Sequence, residues 1–295
     1  MTMFKLEGIY APIPTPFIND EIAYDKLEES MGFWLDSRIS GIVVMGSNGE
    51  FVVLSPEEKR QLISKVCKLS KGKKPVVAGT GCESTKETIE LTKYAAEAGA
   101  AAALVLSPNY YKKAMTDEIL KSFYTEVADA SPIPLILYNM PGNSGINLSV
   151  KLVVELAKHP NIIGVKDSSG NIVQIAEVIN ATPDDFTVFA GSASFLFPSL
   201  VLGAKGGTMA LANVLPNECA DVYELTKAGK YEEAKELQLK LLDINNAVTS
   251  RWGIGGLKAA LEMQGIFGGE PRKPLKVISE QDRKLLADIL AKAKN

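Results

Sequence analysis

A lysine that ends an apolar run is the residue best placed to do chemistry in this sequence. Lys166 directly follows Ile162-Ile163-Gly164-Val165. With side chains alternating along a strand, Lys166, Gly164 and Ile162 share one face. If that face is an interior, burial lowers the pKa of the amine. A neutral amine is the form that attacks a ketone to make a Schiff base. A lysine that snorkels to the rim, or pairs with Asp167, accounts for the same spacing. Tyr138 closes a neighbouring run, Leu135-Ile136-Leu137, and shares a face with Ile136. Its phenol suits the proton transfers of imine formation; a core tyrosine with a satisfied hydroxyl is the plain alternative. Gly46-Ser47-Asn48-Gly49 is a tight turn whose N–H groups and hydroxyl suit a carboxylate. Turns of Gly, Ser and Asn are common without any ligand. Tyr110-Tyr111, taken alone, reads as a packing or interface pair.

Other chemistries are short of residues. His159 is the single histidine of 295 residues, and it lies in a helix-end sequence, Lys158-His159-Pro160-Asn161. Cys67, Cys82 and Cys219 are odd in number and widely spaced, which reads as reduced thiols. A zinc cluster or a Ser-His-Asp triad would have to draw on that one histidine or those cysteines. Acid–base work therefore falls to Lys, Tyr, Asp or Glu. The net charge is -3, from 32 basic and 35 acidic residues, with no basic stripe for nucleic acid. The densest basic run, Lys71, Lys73 and Lys74, reads as a solvated helix–strand turn. No apolar run reaches the roughly 18 residues of a membrane span. Met1-Thr2-Met3-Phe4-Lys5 lacks the regions of a signal peptide, so a cytoplasmic protein is expected.

The elements that must position these residues are legible as alternation. Eight continuous apolar runs occur: Gly8–Phe17, Gly41–Met45, Pro75–Thr80, Ala101–Ser107, Leu135–Asn139, Ile162–Lys166, Phe186–Ala190 and Gly207–Leu211. Continuous runs are what parallel strands covered on both faces look like. Helical stretches separate them. Ser55-Pro56-Glu57-Glu58 is a helix start with a capping box, and Thr116-Asp117-Glu118 is another. Ala98-Gly99 closes a helix. Eight β–α units predict a (β/α)₈ barrel, with its active site at the C-terminal strand ends. A doubly wound sheet would want Gly-x-Gly-x-x-Gly after the first strand; Pro14-Thr15-Pro16-Phe17 stands there. Residues 1–215 are read as the barrel and 216–295 as helices packed on it or on a second subunit, all within one domain.

Together these pieces resemble the dihydrodipicolinate synthase / N-acetylneuraminate lyase superfamily of class I aldolases, nearly end to end. The resemblance is carried by Thr15-Pro16-Phe17, Gly46-Ser47-Asn48-Gly49-Glu50, Ser107-Pro108 with Tyr110-Tyr111, Tyr138-Asn139-Met140-Pro141, and Gly164-Val165-Lys166-Asp167-Ser168. It implies that Lys166 forms an imine with pyruvate or another 2-oxo acid, with no metal and no dissociable cofactor. It implies Tyr138 as general acid/base, Ser47 as the link to a second tyrosine, and Ser47 with Asn48 as the carboxylate-binding pair. That second tyrosine is Tyr111, with Tyr110 the alternative. In this family it comes from a neighbouring subunit, which implies a dimer or a tetramer.

Substrate choice is where the sequence departs from the commonest pattern. Dihydrodipicolinate synthases usually read Tyr-Asn-Val-Pro-Ser-Arg-Thr-Gly, and the arginine holds a carboxylate. Here Asn143 takes its place. An amide has neither the charge nor the fork of a guanidinium. The subfamily most resembled is 4-hydroxy-2-oxoglutarate aldolase, through Ser47-Asn48, Asn143, His159–Gly164 and Ala247–Ile254. A 2-keto-3-deoxy sugar-acid aldolase and 4-hydroxy-tetrahydrodipicolinate synthase are the alternatives, with a dehydratase using the same imine. A non-catalytic member that binds 2-oxo acids is the reading of another class. Asn143, Gly191, Ser192 and Thr208 are the residues expected to meet the substrate beyond its 2-oxo acid end.

Overall fold

Eight parallel strands, each followed by a helix, close into one barrel in the computed structural model, which describes residues 4–294. Met1, Thr2 and Met3 of the leader reading, and Asn295 at the end of the tail, lie outside the described residues. The strands are β1 Gly8–Pro12, β2 Gly41–Val44, β3 Val76–Gly79, β4 Ala102–Leu106, β5 Leu135–Asn139, β6 Ile162–Asp167, β7 Thr187–Ala190 and β8 Gly206–Thr208. The helices are α1 Tyr24–Leu35, α2 Pro56–Ser70, α3 Thr85–Glu97, α4 Asp117–Ala130, α5 Val150–Leu156, α6 Ile172–Ala181, α7 Leu196–Val201 and α8 Pro216–Lys227. Neighbours pair in chain order, and β1 pairs with both β2 and β8 to complete the circle.

Alternation sorts the side chains into two layers. Tyr10, Val43, Leu104, Ile136 and Phe189 fill the barrel, with Leu6 below them. Their neighbours Ile9, Ile42, Ala103, Leu137 and Val165 face outward onto the helices. Each fully buried Leu, Ile, Val or Phe contributes about 1.5–3 kcal/mol relative to exposure. Gly41 is dictated by this packing: a Cβ there would sit 2.2 Å from the Tyr10 ring. The helix signals hold. Ser55 and Glu58 form the capping box of α2, Thr116 caps α4, and Gly99 takes the left-handed conformation (φ 97°) after α3. His159 sits in the turn after α5, its Nδ1 accepting from the Asn161 N–H at 3.1 Å.

Four local readings need correction. β1 stops at Pro12 because Pro12, Pro14 and Pro16 offer no N–H to a ladder. Phe17–Ile18 instead forms a small antiparallel hairpin with Glu21–Ile22. β8 ends at Thr208, and Ala210–Asn213 is a 3₁₀ turn. The alternation in β6 is broken by a bulge, since Leu135 pairs with Ile162 but Ile136 pairs with Gly164. Ile162 therefore joins the outer layer, and Ile163 lies against the inner one. Lys74 is not a solvated charge: Nζ donates to the Ser37 and Ile39 carbonyls at 2.9 and 2.6 Å.

The chain from Pro216 is helical except over 263–279, where no helix forms, and α8 packs on α7 and β1. Beyond it come α9 Tyr231–Lys240, α10 Leu242–Asn246, a π-helical turn at Ala247–Arg251, α11 Gly253–Glu262 and α12 Glu280–Lys294. α10 and α11 pack over the turns that follow β7 and β8. Among the described residues no helix is long and apolar enough to cross a membrane.

Candidate active site

The C-terminal ends of the strands open into a cavity of about 930 Å³. Lys166 rises from its floor on β6, 4% exposed. The register sets Tyr138 of β5 directly beside it, and Asn139 beside Asp167. The Lys166 Nζ lies 4.1 Å from the centre of the Tyr138 ring. On the opposite side of the β5–β6 ribbon, Asn139 Nδ2 donates to the Asp167 carboxylate at 2.7 Å, and the Ser169 N–H and hydroxyl donate to it as well. Asp167 is thus taken, and the lysine's neighbour in sequence is not its counter-ion.

Tyr138 is hydrogen-bonded to the Ser47 hydroxyl at 3.1 Å. Burial pushes its phenol pKa up, but the Lys166 charge and the Ser47 hydrogen bond outweigh that, leaving it below the ordinary value. Ser47 and Asn48 sit in the turn after β2. This turn is bracketed by two non-glycine residues in left-handed backbone, Met45 (φ 59°) and Glu50 (φ 56°). Such strain persists where the surroundings over-determine it, and it clusters at functional sites.

Lys166 is the sole cation among the described residues lining the cavity. Asn143 stands on the short helical turn Pro141–Ser144, exposed toward the opening. Gly191, Ser192 and Thr208 line the wall formed by β7 and β8. The Ser192 hydroxyl is held by Ser194 at 2.9 Å and by Asn245 Nδ2 at 3.3 Å. Among the described residues, no group of three or more His, Cys, Asp or Glu could hold a metal ion.

The chain matches the model of the dihydrodipicolinate synthetase family over residues 5–293. The chain belongs to this family. It is 39% identical to the 4-hydroxy-tetrahydrodipicolinate synthase of Geotalea uraniireducens, over 98% of each chain. It is 37% identical to that of Methanocaldococcus jannaschii, again over 98% of each. Among solved structures it is similar to the dihydrodipicolinate synthase of Acinetobacter baumannii complexed with pyruvate (33% identity, TM-score 0.92, 98% of each chain). As a family member the protein is a carbon–carbon lyase of the class I aldolase kind.

The sequence brought most of the lining into view, and the structure adds two features. One is Ser168, whose hydroxyl is buried and has no partner. Gly191 leaves room for it, since a Cβ there would lie 1.9 Å from Ser168 Oγ. The alternation that singled out Lys166 carries two residues further to Ser168. The other is the roof: Asn246, Thr249, Ser250 and Ile254, from the end of α10, the π-helical turn and the start of α11, line the cavity. A π turn inside a helix is itself frequent at functional sites. Tyr110 and Tyr111 are not brought in. They are 77% and 73% exposed, stacked edge to face on a loop held by the Glu83 carboxylate, which accepts from the Asn109 and Tyr110 N–H groups.

Proposed function

We propose that this protein cleaves 4-hydroxy-2-oxo acids to pyruvate and an aldehyde through an imine on Lys166, with 4-hydroxy-2-oxoglutarate the first substrate to test. The observation that carries the reading is buried Lys166 and Tyr138, with half-buried Ser47, on the floor of a cavity that holds no other cation among the described residues. Ser47 and Asn48 hold the carboxylate by hydroxyl and N–H groups, which fixes the ketone carbon near Nζ. The neutral amine adds to that carbon, and Tyr138 shuttles the protons as water leaves. Tyr138 then takes the proton of the C4 hydroxyl. The C3–C4 bond breaks, its electrons pass into the protonated imine, and the aldehyde departs. Protonation of the enamine at C3 and hydrolysis release pyruvate. The imine is the electron sink, so the scheme asks for no metal or dissociable cofactor. The hydroxyl- and amide-rich wall, with Asn143, Ser192 and Thr208, suits a hydroxylated chain.

We further read Tyr111 as completing the relay across a subunit boundary, in a cytoplasmic homodimer or tetramer. Its exposure on a braced loop supports this. Residues 1–215 and 216–295 are read as one folding unit. The names of the relatives favour a second reading, synthesis of 4-hydroxy-tetrahydrodipicolinate from pyruvate and a four-carbon amino-aldehyde acid. The amide of Asn143, where that chemistry uses a guanidinium, argues against it.

Borohydride reduction with pyruvate, followed by peptide mapping, tests the imine. A pyruvate-sized adduct on Lys166 is expected. No adduct from folded protein sinks the catalytic reading and leaves a 2-oxo-acid-binding protein. Steady-state rates with 4-hydroxy-2-oxoglutarate, 2-keto-3-deoxy sugar acids and the amino-aldehyde pair then rank the substrates.

A further inference from the structure

The turn that carries Ser47 and Asn48 ends on Glu50, and Glu50 is fixed from a part of the chain remote in sequence. Its carboxylate Oε1 lies 2.6 Å from Nζ of Lys258 on α11, and both side chains are 1% exposed. Oε2 accepts from the backbone N–H of Arg272 at 2.8 Å. The Lys258 ammonium donates to the carbonyls of Thr15 and Glu270 at 2.8 Å each, and its contact with Glu50 is an ion pair. Two backbone carbonyls therefore fix where that ammonium sits. Thr15 closes the loop of contacts, because its hydroxyl donates to the Gly49 carbonyl at 2.7 Å. The Glu50 N–H in turn closes on the Ser47 carbonyl at 3.1 Å.

A buried ion pair is a poor way to gain stability, since apolar residues of like volume often serve as well or better. What a pair anchored to backbone groups at both ends does supply is geometry. Here the geometry is that of a turn held in left-handed backbone at Glu50, three residues from the hydroxyl that meets Tyr138.

We infer that Glu50 is a positioning residue, pinned by Lys258 and the Arg272 backbone, that aims the Ser47 hydroxyl and the Asn48 amide at the substrate's carboxylate. The stretch from α11 to Arg272 is then part of the active-site machinery without touching the reacting atoms. This inference rests on the imine reading above.

The test is the pyruvate dependence of borohydride trapping in the full-length protein, wild type against Glu50→Gln/Lys258→Met. That double change removes both charges together, so neither is left buried alone. With thermal midpoint and circular dichroism near wild type, the pyruvate concentration for half-trapping is expected to rise about tenfold, with the final extent on Lys166 unchanged. A merely structural pair would move the midpoint and leave that concentration alone; this result overturns the inference. Glu50→Asp, which keeps the charge and shortens its reach, decides in the same way where the double variant does not fold. Failure to trap the wild type is a different outcome, and it removes the imine reading instead.

Discussion

The two ends of the barrel are built to different rules. At the N-terminal end charges pair with one another near the surface. Glu7 accepts from Tyr223 at 3.0 Å and pairs with Lys5 and Lys227 at 2.6 and 2.7 Å, and Arg38 pairs with Asp221 and Glu224. Above them Leu6, Tyr10 and Phe189 close the interior with apolar surface. At the C-terminal end an amine is buried beside a phenol, the Ser168 hydroxyl has no partner, and Met45 and Glu50 sit in left-handed backbone on either side of Ser47. One end is closed by apolar packing and paired charges and the other gathers a buried amine and phenol, which is the division expected when stability and chemistry occupy opposite faces of a barrel.

Replacing Lys166 breaks the upper end outright. Lys166→Ala is expected to lower the aldol cleavage rate on the order of 10³-fold or more while thermal stability holds or rises, because a buried charge is removed. Tyr138→Phe comes next, with kcat down about 10²- to 10⁴-fold. Because Tyr138 titrates below tyrosine's ordinary value of 10.0, its deprotonation limb in the kcat/KM profile falls below that pH. The phenylalanine variant lacks that limb, and a wild-type profile without one would remove Tyr138 from the relay. Tyr111→Phe is expected to cost about tenfold in kcat, with Tyr110→Phe near wild type; the reverse order would move the relay to Tyr110.

The lower end yields the smallest effect. Hydrogen bonds from Lys227 and then Lys5 hold the Glu7 carboxyl down at about 2, against 4.5 ordinarily. A depressed carboxyl stabilises the fold fully above pH 4.5 and loses that contribution as pH falls toward 2. Glu7→Gln is expected to flatten the acid limb of the stability curve by less than about 1 kcal/mol, since its lysine partners are exposed, and to leave kcat unchanged. A change in turnover would show that the two ends are coupled.

Lys166, Tyr138 and Ser47 were legible because they terminate apolar runs, and a barrel places strand ends together. The eight runs gave the architecture for the same reason. Their limits were less legible. A proline run can still lie against a strand without extending its ladder, as Pro12–Pro16 does. The bulge opposite Leu135 is a property of two strands paired, so β6 alone cannot announce it. Tyr111 marks another boundary, because a residue exposed on its own chain is placed by what covers it. Glu50 and Lys258 were invisible as a pair, since nothing local to either residue names the other.

The roof of the cavity carries a consequence for the order of events in the cell. A ribosome delivers the chain from its amino end, so Tyr138 and Lys166 emerge long before Asn246, Ile254 and Lys258. All eight strands are out once Thr208 has been made. A nascent chain at that point carries the reactive amine and the phenol but none of the residues that roof the cavity.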